Sequence, residues 1–413
     1  MRQTEILVTA AVLAMVSLSP AATIEELVDF DLMRVGAQYN YVGSHAFDGT
    51  TVYAVIRGIE SSITPEWESQ ITRVDDFLGV PMTTLLVSNA QWKAFTGGGQ
   101  YDTILPGERM RVVGGQLQFL DGATDAVYRV DVTTGALSVL VSNAQIQAHT
   151  GLTSARLIGA TAFSPDGDMV MYDEDSKAVL MVDAAGALST LISNTDFQTL
   201  YSAAPVSNVS GGMTFDRSGN LYWALSYHGS APTISGSIYQ RQASDGTLSL
   251  VVAQSDIWSV TGKVGNVAFN DIFCAPDGNV YFYDRRGDVD SILYFHPSDP
   301  VGSLTVFLTE AEIQAGPIGY VEINIDALNA YGNQLTWHHF DALSDVYASE
   351  LAGFAGDFDK DGDIDLWDAG RFQICFDVTI TADSPCAPVD FNTNGVVDLA
   401  DWITFEGRFK GPQ

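Results

Sequence analysis

Short runs of alternating apolar and polar residues recur through most of the chain. The clearest runs come in pairs, at residues 117–121 with 127–131, 169–173 with 179–183, and 280–284 with 292–295. They are rich in β-branched and aromatic residues, which predicts β-strands. A turn such as 164–167 or 275–278 introduces each pair and ends in glycine, which readily adopts a positive φ. The pattern therefore predicts an all-β architecture of short strands.

A second phrase follows the paired runs and reads Leu-Val-Ser-Asn-Ala in its best copies. It ends at residues 90 and 144, with weaker copies at 188–194, 248–254 and 304–310. The spacing is roughly fifty residues, a period typical of repeat architectures. Each phrase supplies a further strand, and its Ser-Asn-Ala part is suited to capping a short helical turn. One repeat therefore contains about four strands.

A single four-stranded sheet leaves both faces uncovered, so these repeats are expected to stack face to face and close radially as a β-propeller. Turn glycines mark six units, with five or seven as alternatives: Gly49, Gly115, Gly167, Gly219, Gly278 and Gly332. The sixth unit lacks a strand, which residues 27–35 at the mature N-terminus can supply. By architecture and spacing, residues 23–350 resemble six-bladed propellers of the NHL and YWTD kind, without their signature tetrapeptides.

Residues 1–22 are predicted to be a signal peptide. The apolar run 6–18 is too short to span a bilayer, and small residues follow it at 19–23. Arg2 is the only basic residue before this run, and Glu5 offsets it, so a buried helix or an anchor is the alternative. The prediction is a secreted, extracytoplasmic protein.

The net charge and the distribution of chemically reactive residues make several functional classes less favourable. The 413 residues carry a formal net charge of −32, which disfavours nucleic acid as a partner. The six histidines lack the i, i+4 spacing or cysteine companions of a zinc site, so metal catalysis has no support. The sequence has no recognisable motif for a catalytic nucleophile. A pair of carboxylates that cleaves glycosides is still compatible with the sequence, because the distance between two such groups depends on the fold. The recurring Asp121, Asp131, Asp173, Asp183 and Asp284 are expected to cap turns.

The C-terminal segment, residues 351–413, contains two calcium-loop patterns. Each places oxygen-bearing residues at loop positions 1, 3, 5, 7, 9 and 12, with glycine (Gly362 or Gly395) at position 6 for the sharp bend. The predicted ligands of two Ca²⁺ ions are Asp357, Asp359, Asp361, Asp363, Asp365 and Asp368 in the first loop, and Asp390, Asn392, Asn394, Val396, Asp398 and Asp401 in the second. Asp363 and Val396, at position 7, contribute backbone carbonyls.

These loops, each followed by one helix and each with Asp at position 12, resemble the type I dockerin domain. The fold class is therefore an all-β propeller followed by a small α-helical, dockerin-like domain. The resemblance implies binding to a cohesin-like or other surface protein near loop positions 10 and 11, here Leu366, Trp367, Leu399 and Ala400. Packing of the two helices against each other is an equally open role for these apolar residues.

The three cysteines are too few for a disulfide scaffold. Cys375 and Cys386 flank the linker between the loops and, in an exported protein, favour a disulfide over two free thiols. Cys274 has no evident partner and is expected to be a small buried side chain.

The sequence is compatible with three functions. The favoured one is a tethered binding or recognition propeller. The others are an enzyme acting on polysaccharide or a lactone, delivered by the tail, and a structural surface protein. Any propeller site is expected in the central channel or on one rim, among Tyr39, Tyr41, His45, Thr161, Thr214, Asp271 and Asn324.

Overall fold

The protein is described by a computed structural model covering residues 24–35, 39–59, 67–97, 104, 106–201, 209, 211–226, 236–285, 290–315, 325–332, 334–339, 345–351, 366–379, 386, 389 and 395–406. These residues form six antiparallel, four-stranded sheets, which are the six blades of a β-propeller. The predicted all-β propeller and its six blades are confirmed. The predicted signal peptide, residues 1–22, lies outside the described residues.

The elements follow the sequence repeat. The chain begins with β1 (Ile24–Val28) and α1 (Phe30–Met33). Blade 1 is β2 (Tyr39–Asp48), β3 (Thr51–Ile59), β4 (Trp67–Asp75) and β5 (Met82–Val87), followed by α2 (Asn89–Thr96). Blade 2 is β6 (Pro106–Val113), β7 (Gln116–Asp121), β8 (Ala126–Asp131) and β9 (Leu137–Val141), followed by α3 (Asn143–Thr150). Blade 3 is β10 (Leu157–Phe163), β11 (Met169–Asp173), β12 (Ala178–Val182) and β13 (Leu188–Ile192), followed by α4 (Asn194–Leu200).

The remaining elements complete the ring and the tail. Blade 4 is β14 (Met213–Phe215), β15 (Leu221–Leu225), β16 (Ser237–Arg241) and β17 (Leu248–Val252), followed by α5 (Gln254–Thr261). Blade 5 is β18 (Phe269–Cys274), β19 (Val280–Asp284), β20 (Ser291–Phe295) and β21 (Thr305–Thr309), followed by α6 (Glu310–Ala315). Blade 6 joins β22 (Ile325–Tyr331), β23 (Gln334–His339) and β24 (Val346–Glu350) to β1. The tail contains α7 (Leu366–Cys375) and α8 (Leu399–Glu406).

Strand β11 shows how one blade covers both of its neighbours. Met169 and Met171 point into the core shared with blade 2, whereas Val170 and Tyr172 point into the core shared with blade 4. All four side chains are buried. Because successive residues of a strand face opposite sides, one apolar strand fills two interfaces. The first strands of neighbouring blades contact one another, and β22 contacts β2, which closes the ring.

A short helix seals each blade interface. Ser142, before α3, accepts a hydrogen bond from the backbone N–H of Gln145, and the Gln145 side chain accepts one from the Ser142 N–H. The same reciprocal cap precedes α2 and α4, as the Ser-Asn-Ala phrase predicts. Helices α2 to α6 each insert a buried apolar side chain into the core between two blades: Trp92, Ile146, Phe197, Ile257 and Ile313.

The N-terminal segment completes blade 6, as predicted. Strand β1 pairs with β24 and ends at Val28, seven residues earlier than the predicted run 27–35. The reason is Asp29, whose side chain accepts a hydrogen bond from the Asp31 N–H and caps α1. Phe30 and Met33 of α1 are buried between blades 6 and 1. The strand and helix at the N-terminus therefore play the part that β21 and α6 play in blade 5.

Local turn chemistry follows the sequence predictions. The six turn glycines all have positive φ, from +55° at Gly332 to +91° at Gly167. The recurring aspartates cap turns where their bonds are described. Asp131 accepts hydrogen bonds from the backbone N–H groups of Thr133 and Thr134, and Asp183 accepts them from those of Ala185 and Ala187. These carboxylates therefore stabilise strand ends.

Candidate functional site

The tail has a small core of its own. Phe372 of α7 and Phe405 of α8 are fully buried, and their ring centroids lie 4.7 Å apart. They occupy matching places in the two sequence copies. Cys375 and Cys386 form a disulfide in this core, with Cα atoms 5.4 Å apart. The two copies therefore pack together through equivalent residues.

Part of the predicted calcium site is described by the structure. Asp368 and Asp401, at position 12 of the two loops, are both 0% exposed. Asp401 Oδ2 accepts a hydrogen bond from the Asp398 N–H at 2.8 Å, and Asp398 Oδ1 accepts one from the Ala400 N–H at the start of α8. The remaining predicted side-chain ligands, Asp357, Asp359, Asp361, Asp365, Asp390, Asn392 and Asn394, and the Asp363 carbonyl lie outside the described residues.

These described residues fit a calcium ion. Moving a carboxylate out of water is unfavourable unless a cation or several donors compensate it, and here the same position is buried in both copies. Backbone carbonyls and carboxylates are the oxygen ligands that calcium takes. Asp368 would be a ligand of the first ion, and the Val396 carbonyl, Asp398 and Asp401 would be ligands of the second.

Three of the four predicted partner residues lie on the surface of the tail. Trp367 is 46% exposed, Leu399 is 64% exposed, and Ala400 is also exposed. The guanidinium carbon of Arg371 lies 4.6 Å from the centroid of the Trp367 ring. The side chain of Leu366 is outside the described residues. The two helices pack through Phe372 and Phe405, so Trp367 and Leu399 present apolar surface to solvent.

A buried ion pair spans the ring of the propeller. Arg109 of β6 extends its Nη2 to within 2.8 Å of Asp271 Oδ1 on β18, in the opposite blade. The same guanidinium donates to the carbonyl oxygens of Ile272 and Leu328, and it lies over the ring of Phe273 at 4.7 Å. Asp271 is one of the predicted channel residues, whereas Arg109 is not, because no local sequence pattern marks this arginine. This guanidinium joins blades 2, 5 and 6.

Two of the predicted channel residues bridge neighbouring blades, and three others cannot be placed from the described residues. Thr161 accepts a hydrogen bond from the Arg109 N–H at 3.1 Å, and Thr214 accepts one from the Cys274 N–H at 2.8 Å, so both hydroxyls join neighbouring blades. Asn324 and the side chains of Tyr39 and Tyr41 are outside the described residues. Burial raises the pKa of the Cys274 thiol, which therefore stays protonated.

His45 lies against a second histidine that is distant in sequence. Its Nδ1 is 3.4 Å from Nδ1 of His338, and its Nε2 is 3.3 Å from Thr336 Oγ1. Both imidazoles are buried at the seam between β2 of blade 1 and β23 of blade 6. Burial, and secondarily the positive charge of Arg109, lowers the pKa of His45 to about 3, so this imidazole is neutral. The spacing of histidines in the sequence does not predict this contact, because His45 and His338 are 293 residues apart.

Three carboxylates gather where the ring closes. Oxygens of Glu26, Asp29 and Asp345 lie within 4.8 Å of one another. Asp345 Oδ1 also accepts a hydrogen bond from the Phe30 N–H at 2.8 Å, which ties α1 to blade 6. Partial burial raises the pKa of Glu26, and the charges of Asp345 and Asp29 raise it further. The closing strand therefore carries concentrated negative charge.

Comparison with known proteins gives structural neighbours only. No family model matches the chain, and no curated protein matches it. A catalytically inactive virginiamycin B lyase from Staphylococcus aureus is 10% identical, over 80% of this chain and 99% of that one, with a TM-score of 0.44. A regucalcin, a calcium-binding protein from Agrobacterium tumefaciens, is 9% identical over 76% and 95%, with a TM-score of 0.43. A chain of a nidogen/laminin complex is 16% identical over 65% and 80%, with a TM-score of 0.40. These likenesses assign no ligand or activity to this chain.

None of the helices among the described residues is long and apolar enough to cross a membrane.

Proposed function

We propose that this protein is an exported propeller that binds or recognises a ligand and is tethered to a cohesin-like or other surface protein by its calcium-dependent, dockerin-like tail, residues 351–413. The observation that carries the proposal is the buried pair Asp368 and Asp401, at the twelfth position of both loops. Two in-register copies of a calcium pattern, each ending in a buried carboxylate, are not expected of an acidic surface segment.

Bound calcium would supply positive charge to these carboxylates and thereby favour the ordered tail. The short helices of the tail explain why its order would depend on the ion. Helices α7 and α8 have ten and eight residues, and helices of this length are marginal on their own. They begin at the ends of the two loops, so closing the loops would fix the first turn of each helix. Tethering would then depend on calcium.

The partner surface in this proposal consists of Trp367, Leu399 and Ala400, and the sequence pattern adds Leu366, at position 10 of the first loop. Exposed apolar side chains on two neighbouring helices are suited to a protein partner, since a large aromatic anchor often dominates such an interface. The formal charge of −32 adds long-range repulsion against anionic surfaces, which favours a protein over a lipid or nucleic acid as the anchor.

Calcium titration of the full chain after treatment with a chelator tests the metal sites. We expect calorimetry to show two bound ions, one of which is lost in Asp368→Asn and one in Asp401→Asn. Asp377→Asn, which changes an exposed carboxylate of the same tail, should keep both ions. Absence of calcium uptake at millimolar concentration would refute the proposed tail.

Capture of extracytoplasmic proteins by the immobilised full chain tests the tether. We expect one partner that is retained in calcium, released by chelator and lost in Trp367→Ala. The control is Ile374→Ala, which removes another exposed apolar side chain of α7 outside the predicted positions. Equal loss in both variants would argue against the specific surface. Glycan-array binding without turnover would support a binding propeller, whereas product release would support the enzyme alternative.

A further inference from the structure

We propose that His45 and His338 form a site for a divalent transition-metal ion of the Zn²⁺ type, at the seam between blades 1 and 6. The two Nδ1 atoms lie 3.4 Å apart. A tetrahedral zinc ion with nitrogen ligands at about 2.0–2.1 Å requires its ligand atoms to be about 3.3–3.4 Å apart. The histidine side chains are therefore already separated by the distance that one shared metal ion imposes.

A direct hydrogen bond between the two imidazoles is the simpler interpretation. Its usual donor–acceptor distance is about 2.7–3.2 Å for nitrogen donors, so 3.4 Å is long for such a bond. The interplanar angle of the two rings is 75°, and their centroids are 5.5 Å apart. The spacing thus suits a metal ion at least as well as a shared proton.

Thr336 orients His45 for this role. Its Oγ1 lies 3.3 Å from His45 Nε2, so a proton on Nε2 can be donated to the hydroxyl while Nδ1 keeps its lone pair. Histidines that ligate metals commonly donate their second ring N–H in this way, which fixes the tautomer and the ring orientation. The backbone carbonyl of His45 also accepts a hydrogen bond from Asn329 Nδ2 at 3.2 Å.

A metal ion binds a neutral imidazole through the lone pair of a ring nitrogen. The positive charge of Arg109 acts on His45 and opposes a second cation, and its pairing with Asp271 at 2.8 Å offsets part of that repulsion. His45 and His338 are both on strands and buried, so little side-chain freedom would be lost on binding. Two protein ligands leave coordination positions for water or an exogenous group.

Zinc titration of the full chain tests this site, in excess calcium so that the tail loops are saturated. We expect one tight Zn²⁺ equivalent in calorimetry, a higher melting temperature with Zn²⁺, and a visible absorption band when Co²⁺ replaces it. His45→Gln and His338→Gln should each abolish these three signals. The control is His149→Gln. Exposed His149 has the same kind of contact, Nε2 to Thr190 Oγ1 at 3.0 Å, and in the part of the chain that the structure describes no second histidine contacts it.

Thr336→Val keeps the proposal testable if the buried histidine variants fail to fold. It preserves the side-chain shape and both imidazoles, and we expect a loss of zinc affinity of about tenfold to a hundredfold. Unchanged affinity in Thr336→Val, or zinc binding that survives both histidine substitutions, would overturn the assignment. An absence of zinc binding in the unaltered chain would leave the two histidines as hydrogen-bonded core residues and would also overturn it.

Discussion

Replacing Arg109 by methionine removes the guanidinium that joins blade 2 to the opposite side of the ring. The substitution leaves the fully buried carboxylate of Asp271 without this cation, and the carbonyls of Ile272 and Leu328 lose a donor. Breaking a buried ion pair from one side typically costs about 3–5 kcal/mol. With an unfolding entropy of about 2.1 cal/mol/K per residue, we expect the melting temperature of the propeller to fall by roughly 4–7 °C.

Asp271→Asn should be milder than Arg109→Met. In this variant the guanidinium keeps two carbonyl acceptors, and the asparagine keeps an oxygen at the Oδ1 position, which accepts from both Arg109 and the Ile272 N–H. The double variant should be more stable than the sum of the two single losses predicts, because no charge then remains buried without its partner. We expect a coupling free energy of about 1–3 kcal/mol.

Calorimetry of the unaltered chain, the two single variants and the double variant, all in calcium, gives the stabilities for this double-mutant cycle. Fluorescence of the buried propeller tryptophans Trp92, Trp223 and Trp337 follows the same unfolding transition. Arg73→Met is the matched control, since Arg73 is only partly buried and its carboxylate partner, Asp75, is partly exposed. Its loss should be smaller, about 1 kcal/mol. Additive losses, or a larger loss in Asp271→Asn than in Arg109→Met, would show that the pair does not bridge the ring as described.

Three further outcomes follow from local features. The pKa of Glu26 is raised in the folded state, so the stability that protonated Glu26 contributes is fully present below the unfolded pKa and is lost as the pH rises through the folded pKa. Glu26→Gln should therefore flatten the fall in melting temperature above about pH 4.5 and raise the free energy of unfolding at neutral pH by less than about 1 kcal/mol. Ser142→Ala should lower the free energy of unfolding by about 1 kcal/mol in denaturant titrations, whereas Ala253→Ser, at the equivalent cap that lacks a side-chain hydrogen bond, should raise it; equal effects of one sign would contradict the capping argument. Replacing Cys375 and Cys386 by alanine should destabilise the tail alone by about 3 kcal/mol, seen as faster proteolysis of the tail with an unchanged propeller transition, and an unchanged cleavage rate would count against this.

The repeating unit could be predicted from the sequence because the interactions that define it are local. Turn glycines, turn aspartates and serine caps act within four residues of themselves, so their chemistry is visible in a short window. Alternating apolar residues required that each sheet be covered on both faces, and six such sheets close into a ring. The tail loops could be predicted for the same reason, since a calcium loop places its ligands within twelve residues.

The buried polar contacts of the propeller were decided by tertiary structure. His45 meets His338 and Arg109 meets Asp271 only because the ring brings distant strands together, and neither contact has a signature in sequence spacing. The boundary between β1 and α1 is a further case. Residues 27–35 carry a strand-like pattern, but the Asp29 cap and the burial of Met33 between blades 6 and 1 favour a helix there. Local propensity thus determined the unit, while closure of the ring determined which side chains meet.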